Sequence, residues 1–194
     1  MNQSEQELIN CLQRGEQQAF STVVSLYQHM VYNTVLSILQ NEADAEDTTQ
    51  EVFIQVFQSI RSFRGVAKLS TWLYRIAITK ALDLERKRRR KKRFAIVQQL
   101  FGEGSSTEID PVEFNHPGVL LDNKERASKL FKALQKLPAQ QKIAFTLNKI
   151  EGLGNEEVGL IMNISFYAVE SLLARAKANL KKVLKNYYLQ DSDK

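Results

Sequence analysis

Cysteine is almost missing from this chain. Cys11 is the only one in 194 residues, so no disulfide can form within it, which fits a reducing compartment and an expected place in the cytoplasm. Histidine is nearly as scarce. His29 and His116 lie far from each other and from Cys11, and no spacing suits a metal, so none is expected. No window approaches the roughly 18 uninterrupted apolar residues that read as a membrane span, so membrane insertion is not expected. The first residues, "MNQSEQELINCLQRGEQQ", are polar and unlike a secretion signal. Neither Gly-x-x-x-x-Gly-Lys nor Gly-x-Gly-x-x-Gly occurs. Nothing points to an enzyme, to a catalytic residue or to a cofactor. Three prolines and eight glycines leave room for long helices.

What is present is charge, laid out in blocks. The formal net charge is +5. Residues 1–60 hold one Arg against eight acids, and residues 61–93 hold thirteen Lys/Arg against two. Residues 94–123 have five acids and no Lys or Arg, and residues 124–194 have thirteen Lys/Arg against seven acids. Two basic surfaces separated by acidic stretches suggest a polyanion touched in two places.

Apolar periodicity divides the chain in the same way. Phe20, Val23, Val24, Tyr27, Met30, Val31, Val35 and Ile38 recur at steps of three and four, the stripe of an amphipathic helix over residues 16–40. Asn41 can break that helix, and Asp44 is the expected N-cap of the next. Val52, Phe53, Val56, Phe57 and Ile60 form the second stripe. After a short loop around Gly65, Ser70 or Thr71 can cap a third helix with Trp72, Leu73, Ile76 and Ala77 on its apolar side. Residues 94–123 lose periodicity and carry two of the prolines and three of the glycines, so they read as a flexible linker. Periodicity returns near Lys124. Pro138 ends one helix and can open another, and Gly152 and Gly154 stop that one. "NEEVGLIMNISFYAVESLLARAKANLKKVL" then has the spacing of a helix-turn-helix. Its turn falls at Met162–Ser165, with a small residue, Gly159, where the helices cross and Val169 pointing inward. The expected fold is all-α: two small helical domains, 1–93 and 124–194, the second a helix-turn-helix of winged-helix type without a wing.

Three stretches carry chemistry. Arg86 to Arg93 are eight consecutive cations. On a free protein they only repel one another; against DNA each phosphate contact releases counterions. Arg86, Arg88, Arg89, Arg90 and Arg93 are therefore expected to grip backbone without reading bases. In "FRGVAKLSTWLYR", Arg64, Lys68, Ser70, Thr71, Trp72, Tyr74 and Arg75 offer aromatic faces, hydroxyls and cations to unstacked bases. The plain rival is core plus rim. In the second helix of the helix-turn-helix, Ser165, Tyr167, Ser171, Arg175 and Lys177 can reach a major groove, while Glu170 and Leu172 suit phosphates poorly. "ADAEDTTQEVF" is either helix N-terminal carboxylates or a docking face.

The order of these pieces resembles bacterial sigma factors. "DAEDTTQEVFIQVF", "FRGVAKLSTWLYRIAITKALDLERKRR" and "LQKLPAQQKIAFTLNKIEGLGNEEVGLIMNISFYAVESLLARAKANL" resemble three of the family's motifs and come in its order, and the two-domain layout is similar to the extracytoplasmic-function (ECF) group of the sigma-70 family. The resemblance implies a subunit that binds core RNA polymerase and directs it to promoter DNA. It implies docking through Asp47, Gln50, Glu51, Phe53 and Val56, melting and capture of a −10 element by the Trp72 stretch, and −35 reading by the helix-turn-helix. It also allows an anti-sigma factor as a partner. The recognition helix departs from the commonest family pattern, with Ala168-Val169-Glu170-Ser171-Leu172 where Thr-Val-Lys-Ser-Arg is frequent. The alternative on the residues alone is a stand-alone helix-turn-helix regulator, which needs neither the Asp44–Phe53 face nor the Trp72 loop.

Overall fold

The computed structural model describes residues 3–101 and 124–191, and these are helical with no strand among them. Of the expected linker, residues 94–123, the part from residue 102 onward lies outside the described residues. Four helices form the N-terminal bundle: α1 (Gln3–Gln13), α2 (Gln17–Leu39), α3 (Glu42–Ser59) and α4 (Leu69–Phe101), with a 3₁₀ turn at Ile60–Ser62. Four more form the C-terminal one: α5 (Lys124–Gln135), α6 (Ala139–Phe145) continued by a π-helical stretch (Thr146–Ile150), α7 (Asn155–Met162) and α8 (Phe166–Asp191).

The second half of α2 explains the shape of the N-terminal bundle. Val31 and every residue from Thr34 to Leu39 are buried, so this segment has no solvent side. A helix apolar on one stripe packs on one neighbour; one buried all round must be wrapped. Here α3, α4 and the π-helical stretch of the C-terminal bundle do the wrapping. Its hydroxyls are not orphaned, since Thr34 Oγ1 donates to the Met30 carbonyl at 2.8 Å. Val52 and Val56 of α3 and Leu69, Leu73, Ala77 and Ala81 of α4 close around it. Each large aliphatic chain buried this way contributes on the order of 1.5–3 kcal/mol.

The turns correct two expected caps. Gln40 ends α2 in the left-handed region, at φ 52°, and Asn41, not Asp44, caps α3: its side chain accepts the Asp44 N–H at 2.9 Å. Asp44 lies inside the first turn, where its charge suits the helix dipole. Neither Ser70 nor Thr71 caps α4. That helix starts at Leu69, whose N–H donates to Glu5 of α1 at 2.9 Å. At its other end α4 runs on past Arg93 to Phe101, into the stretch read as linker. "FAIVQQLF" contains no glycine or proline, and the first breaker is Gly102.

In the C-terminal bundle Pro138 stands at the N-cap of α6, and Gly154 at that of α7, where Glu157 accepts the Gly154 N–H. Asn163 turns the chain at φ 55°. Ser165 Oγ then accepts the Ala168 N–H at 3.3 Å and opens α8. Gly159 is required by close approach: a Cβ there would lie 2.9 Å from the Ile164 carbonyl oxygen. Val169 is fully buried, as expected of the inward position. A separate small core of Phe131, Leu134, Leu137, Ala176 and Leu180 fastens α5 to α8.

Candidate nucleic-acid and partner interfaces

The stretch from Phe63 to Arg75 is built by its neighbours before it can bind anything. Gln13 Nε2 donates to the carbonyls of Ile60 and Phe63, at 3.3 and 2.8 Å, and pins the start of the loop. Gly65 turns it at φ 68°, a region other side chains resist. Val66 at the tip is 92% exposed. Trp72 is half-buried with its ring tilted on Phe63, centroids 5.0 Å apart. Arg64, Lys68 and Arg75 are exposed and Ser70 is half-exposed, whereas Thr71 and Tyr74 are buried. An aromatic loop flanked by solvent-exposed cations is thus present. Two of the seven residues expected to meet bases point inward instead.

For Tyr74 the reason is the second bundle. The Tyr74 hydroxyl donates to Glu151 at 3.3 Å. Burial, then the adjacent Glu151 charge, drives the phenol well above its ordinary range. Arg75 donates to the carbonyls of Leu160 and of Ile161, the latter at 3.3 Å. Lys68 forms an exposed ion pair with Glu157 at 3.3 Å. Helix α7 therefore lies against the start of α4, a juxtaposition that no local pattern could reveal.

On α3, Asp47, Gln50 and Glu51 are exposed as expected of a docking face. Phe53 and Val56 are not: both sit in the core, so they support that face from behind and cannot touch a partner. The apolar residues that α3 does present are Ile54, 56% exposed, and Phe57, 57% exposed. Phe57 meets Phe20 edge to face at 5.3 Å. Steps of three and four from Asp47 through Gln50 or Glu51 arrive at Ile54 and at Phe57 or Gln58. That periodicity is the sequence signal that places Ile54 and Phe57 on the outer face with Asp47 and Glu51.

The cation run is less bare than its sequence. Arg86 pairs with Asp83 at 3.1 Å, Arg89 with Glu85 at 2.9 Å, and Arg88 with Asp44 of α3. Lys87, Arg90, Lys91 and Arg93 are exposed and make no ion pair among the described residues. A polyanion would find the second group ready and would have to displace carboxylates from the first.

On α8 all five expected residues, Ser165, Tyr167, Ser171, Arg175 and Lys177, are exposed, and Tyr167 is 80% so. Arg175 folds back on its own helix, donating to the Ser171 hydroxyl at 2.8 Å and to its carbonyl at 3.2 Å. Glu170 shares this outer surface. Leu172 does not: it is buried with Leu173 against the bundle, so it offers no apolar obstacle to phosphates.

Comparison with known proteins accords with this geometry. The family models Sigma-70 region 2 and Sigma-70, region 4 match residues 23–91 and 128–180. The ECF RNA polymerase sigma-E factor of Escherichia coli K12 is 31% identical over 174 residues, 90% of this chain and 91% of that protein. The RNA polymerase sigma-H factor of Pseudomonas aeruginosa is 31% identical over 185 residues, 94% of each chain. Among solved structures, CnrH in complex with the cytosolic domain of CnrY superposes with a TM-score of 0.68 at 21% identity, covering 94% of this chain and 97% of that one. RpoE of Bartonella quintana, solved with the anti-sigma factor NepR, does so at 0.61 and 22% identity, over 86% and 96%. At these identities the two structures speak for the fold.

Proposed function

The chain belongs to the ECF sigma factors of the sigma-70 family, and we propose that its N-terminal bundle captures a −10 element while its helix-turn-helix reads a −35 element. As a member it is an alternative sigma factor for transcription initiation, and its partners are core RNA polymerase and promoter DNA. The family consists of initiation factors, and this chain acts with no catalytic residue or cofactor of its own. It works in the cytoplasm, where its polymerase is. An anti-sigma factor is a further partner, the kind of protein with which the Bartonella relative was solved.

The single observation that carries the reading is the layout of α4. Its start is an aromatic loop with Phe63, Val66 and Trp72, and the same helix continues into Lys87, Arg90, Lys91 and Arg93. A stand-alone helix-turn-helix regulator has no use for that arrangement. Bases flipped from the −10 element would stack at Trp72 and Phe63, with Arg64, Lys68, Ser70 and Arg75 on the strand, while the free cations hold the adjoining duplex. Asp47, Gln50, Glu51, Ile54 and Phe57 form the face toward polymerase, and Ser165, Tyr167, Ser171, Arg175 and Lys177 the face toward the −35 groove. We assign the first role to residues 1–93 and the second to residues 124–194.

Magnitudes assign the division of labour. Opening about ten base pairs costs on the order of 14 kcal/mol at roughly 1.4 per stacked step. Each captured base returns about 1–3 kcal/mol. Two or three captured bases cannot open DNA, so melting requires the polymerase. Run-off transcription tests this: core polymerase initiates at a cognate promoter only when the chain is added. A footprint on duplex DNA by the chain alone, with no effect on polymerase, would return the reading to a plain repressor.

A further inference from the structure

Among the described residues, the most deeply buried charge lies between the two bundles. Lys142 of α6 is 0% exposed. Its Nζ donates to Glu85 Oε1 of α4 at 2.8 Å and to the Ile38 carbonyl, in the last turn of α2, at 3.3 Å. That carbonyl is one of the helix-end acceptors with no partner inside α2, and the end of a helix dipole suits a cation. Burial acts to raise the Glu85 carboxyl, but Lys142 and Arg89 outweigh it and hold the group below the ordinary carboxylate range. Gln40, just after α2, donates to the Phe131 carbonyl of α5. The surrounding seam is apolar: Ile143, Leu147, Val158 and Ile161 belong to the same continuous core as Leu69 and Leu73.

We infer that the Lys142–Glu85 pair is an intramolecular latch. It holds the C-terminal bundle over the strand-capture surface, so that the chain on its own is self-occluded. This rests on the proposed role of the Phe63–Arg75 stretch. Tyr74, Arg75 and Lys68 are all engaged by Glu151, the α7 carbonyls and Glu157 in the closed state. The closed state also cannot straddle a promoter. Elements named −10 and −35 are about 25 base pairs apart, roughly 85 Å of duplex at 3.4 Å per pair. Here the first helix of the helix-turn-helix lies 3.3 Å from Lys68. The choice of a charge for this position has a physical consequence. A buried ion pair adds little net stability over an apolar pair, but leaving one member unpaired is heavily penalised. The pair therefore fixes one register of closure, and losing Glu85 favours opening, which returns the Lys142 ammonium to water, whereas Glu85 without Lys142 keeps Arg89.

The test uses the full chain with a Cys11→Ser background and dyes on Gln28→Cys and Lys181→Cys. Energy transfer reports the separation of the bundles, and a random-sequence single-stranded DNA oligonucleotide reports access to the capture surface. Glu85→Gln strands the Lys142 ammonium, so the dyes move apart and oligonucleotide affinity rises about tenfold, as a closed population is released. Adding Lys142→Met to Glu85→Gln removes the stranded charge and returns both readings toward wild type. If Glu85→Gln loses helicity, Glu85→Asp, which keeps the charge and shortens the reach, serves in its place. An unchanged dye separation in a folded variant overturns the latch. Separation that grows without any gain in oligonucleotide binding leaves the latch standing and sinks the assignment of Lys68 and Arg75 to strand capture.

Discussion

The start of α4 and the outer face of α8 are both candidate DNA-reading surfaces, yet the molecule treats them in opposite ways. On α8 every expected contact residue faces solvent, because none of the described residues packs over that side of the helix. At the start of α4, Tyr74 and Thr71 are buried, and Arg75 and Lys68 already have protein partners. The difference teaches that exposure of a recognition residue depends on the arrangement of the two bundles as well as on its helix. One surface is ready in the free chain, and the other becomes ready only when α7 moves away.

The largest effects come from testing the contrast through stability. Leu73→Ala, behind the covered surface, should cost about 2–5 kcal/mol of unfolding free energy in urea titration. Tyr167→Ala, on the bare surface, should stay within about 0.5 kcal/mol while lowering −35-dependent transcription. Equal stability losses would mean that α8 is covered too. Next in size is Gly159→Ala. Its new methyl must displace the Ile164 carbonyl, so about 1–3 kcal/mol should be lost with the turn of the helix-turn-helix distorted. A neutral result would show that the crossing of α7 and α8 has slack.

Smaller effects separate free from paired cations. Replacing Arg90 and Arg93 by Ala should weaken binding evenly across promoters and reduce the salt slope by about 0.9 per lost phosphate contact. The same change at Arg86 and Arg88, which are paired with Asp83 and Asp44, should reduce it less. A loss confined to one promoter sequence would contradict a backbone grip.

The smallest is a pH effect at the seam. Burial raises the Glu151 carboxyl even though Tyr74 and Thr34 hydrogen-bond to its charged form. A carboxyl raised in the closed state binds its proton more tightly there, so closure strengthens as pH falls from neutral toward the ordinary glutamate range. Below that range the gain is complete, and loss of the depressed Glu85 charge then works against closure. Glu151→Gln should flatten the upper part of this profile in melting or energy-transfer measurements. A profile unchanged by Glu151→Gln would show that the seam does not feel that group.

Much of the fold was readable because it is local. The stripe from Phe20 to Ile38, the glycines and proline around α6 and α7, and the Ser165 cap each act through neighbours within a turn of helix. The docking face was read less well. The family motif points to Phe53 and Val56, but a helix has only one side toward its core, and Ile54 and Phe57 hold the other. Linkage between the bundles was invisible: Lys142 reads as an ordinary surface cation after Gln141, and its partner Glu85 stands 57 residues away.

From the sequence alone came the helical class, the two-part layout, the polyanion-seeking charge and the family resemblance. All of these depend on composition and on spacings within a few turns, where covalent geometry sets which residues meet. Only the tertiary structure decided that α7 lies on α4, that a lysine is buried between the bundles, and which cations are already neutralised. Those follow from contacts between distant segments, whose free energy depends on how whole surfaces fit and which charges lose their water.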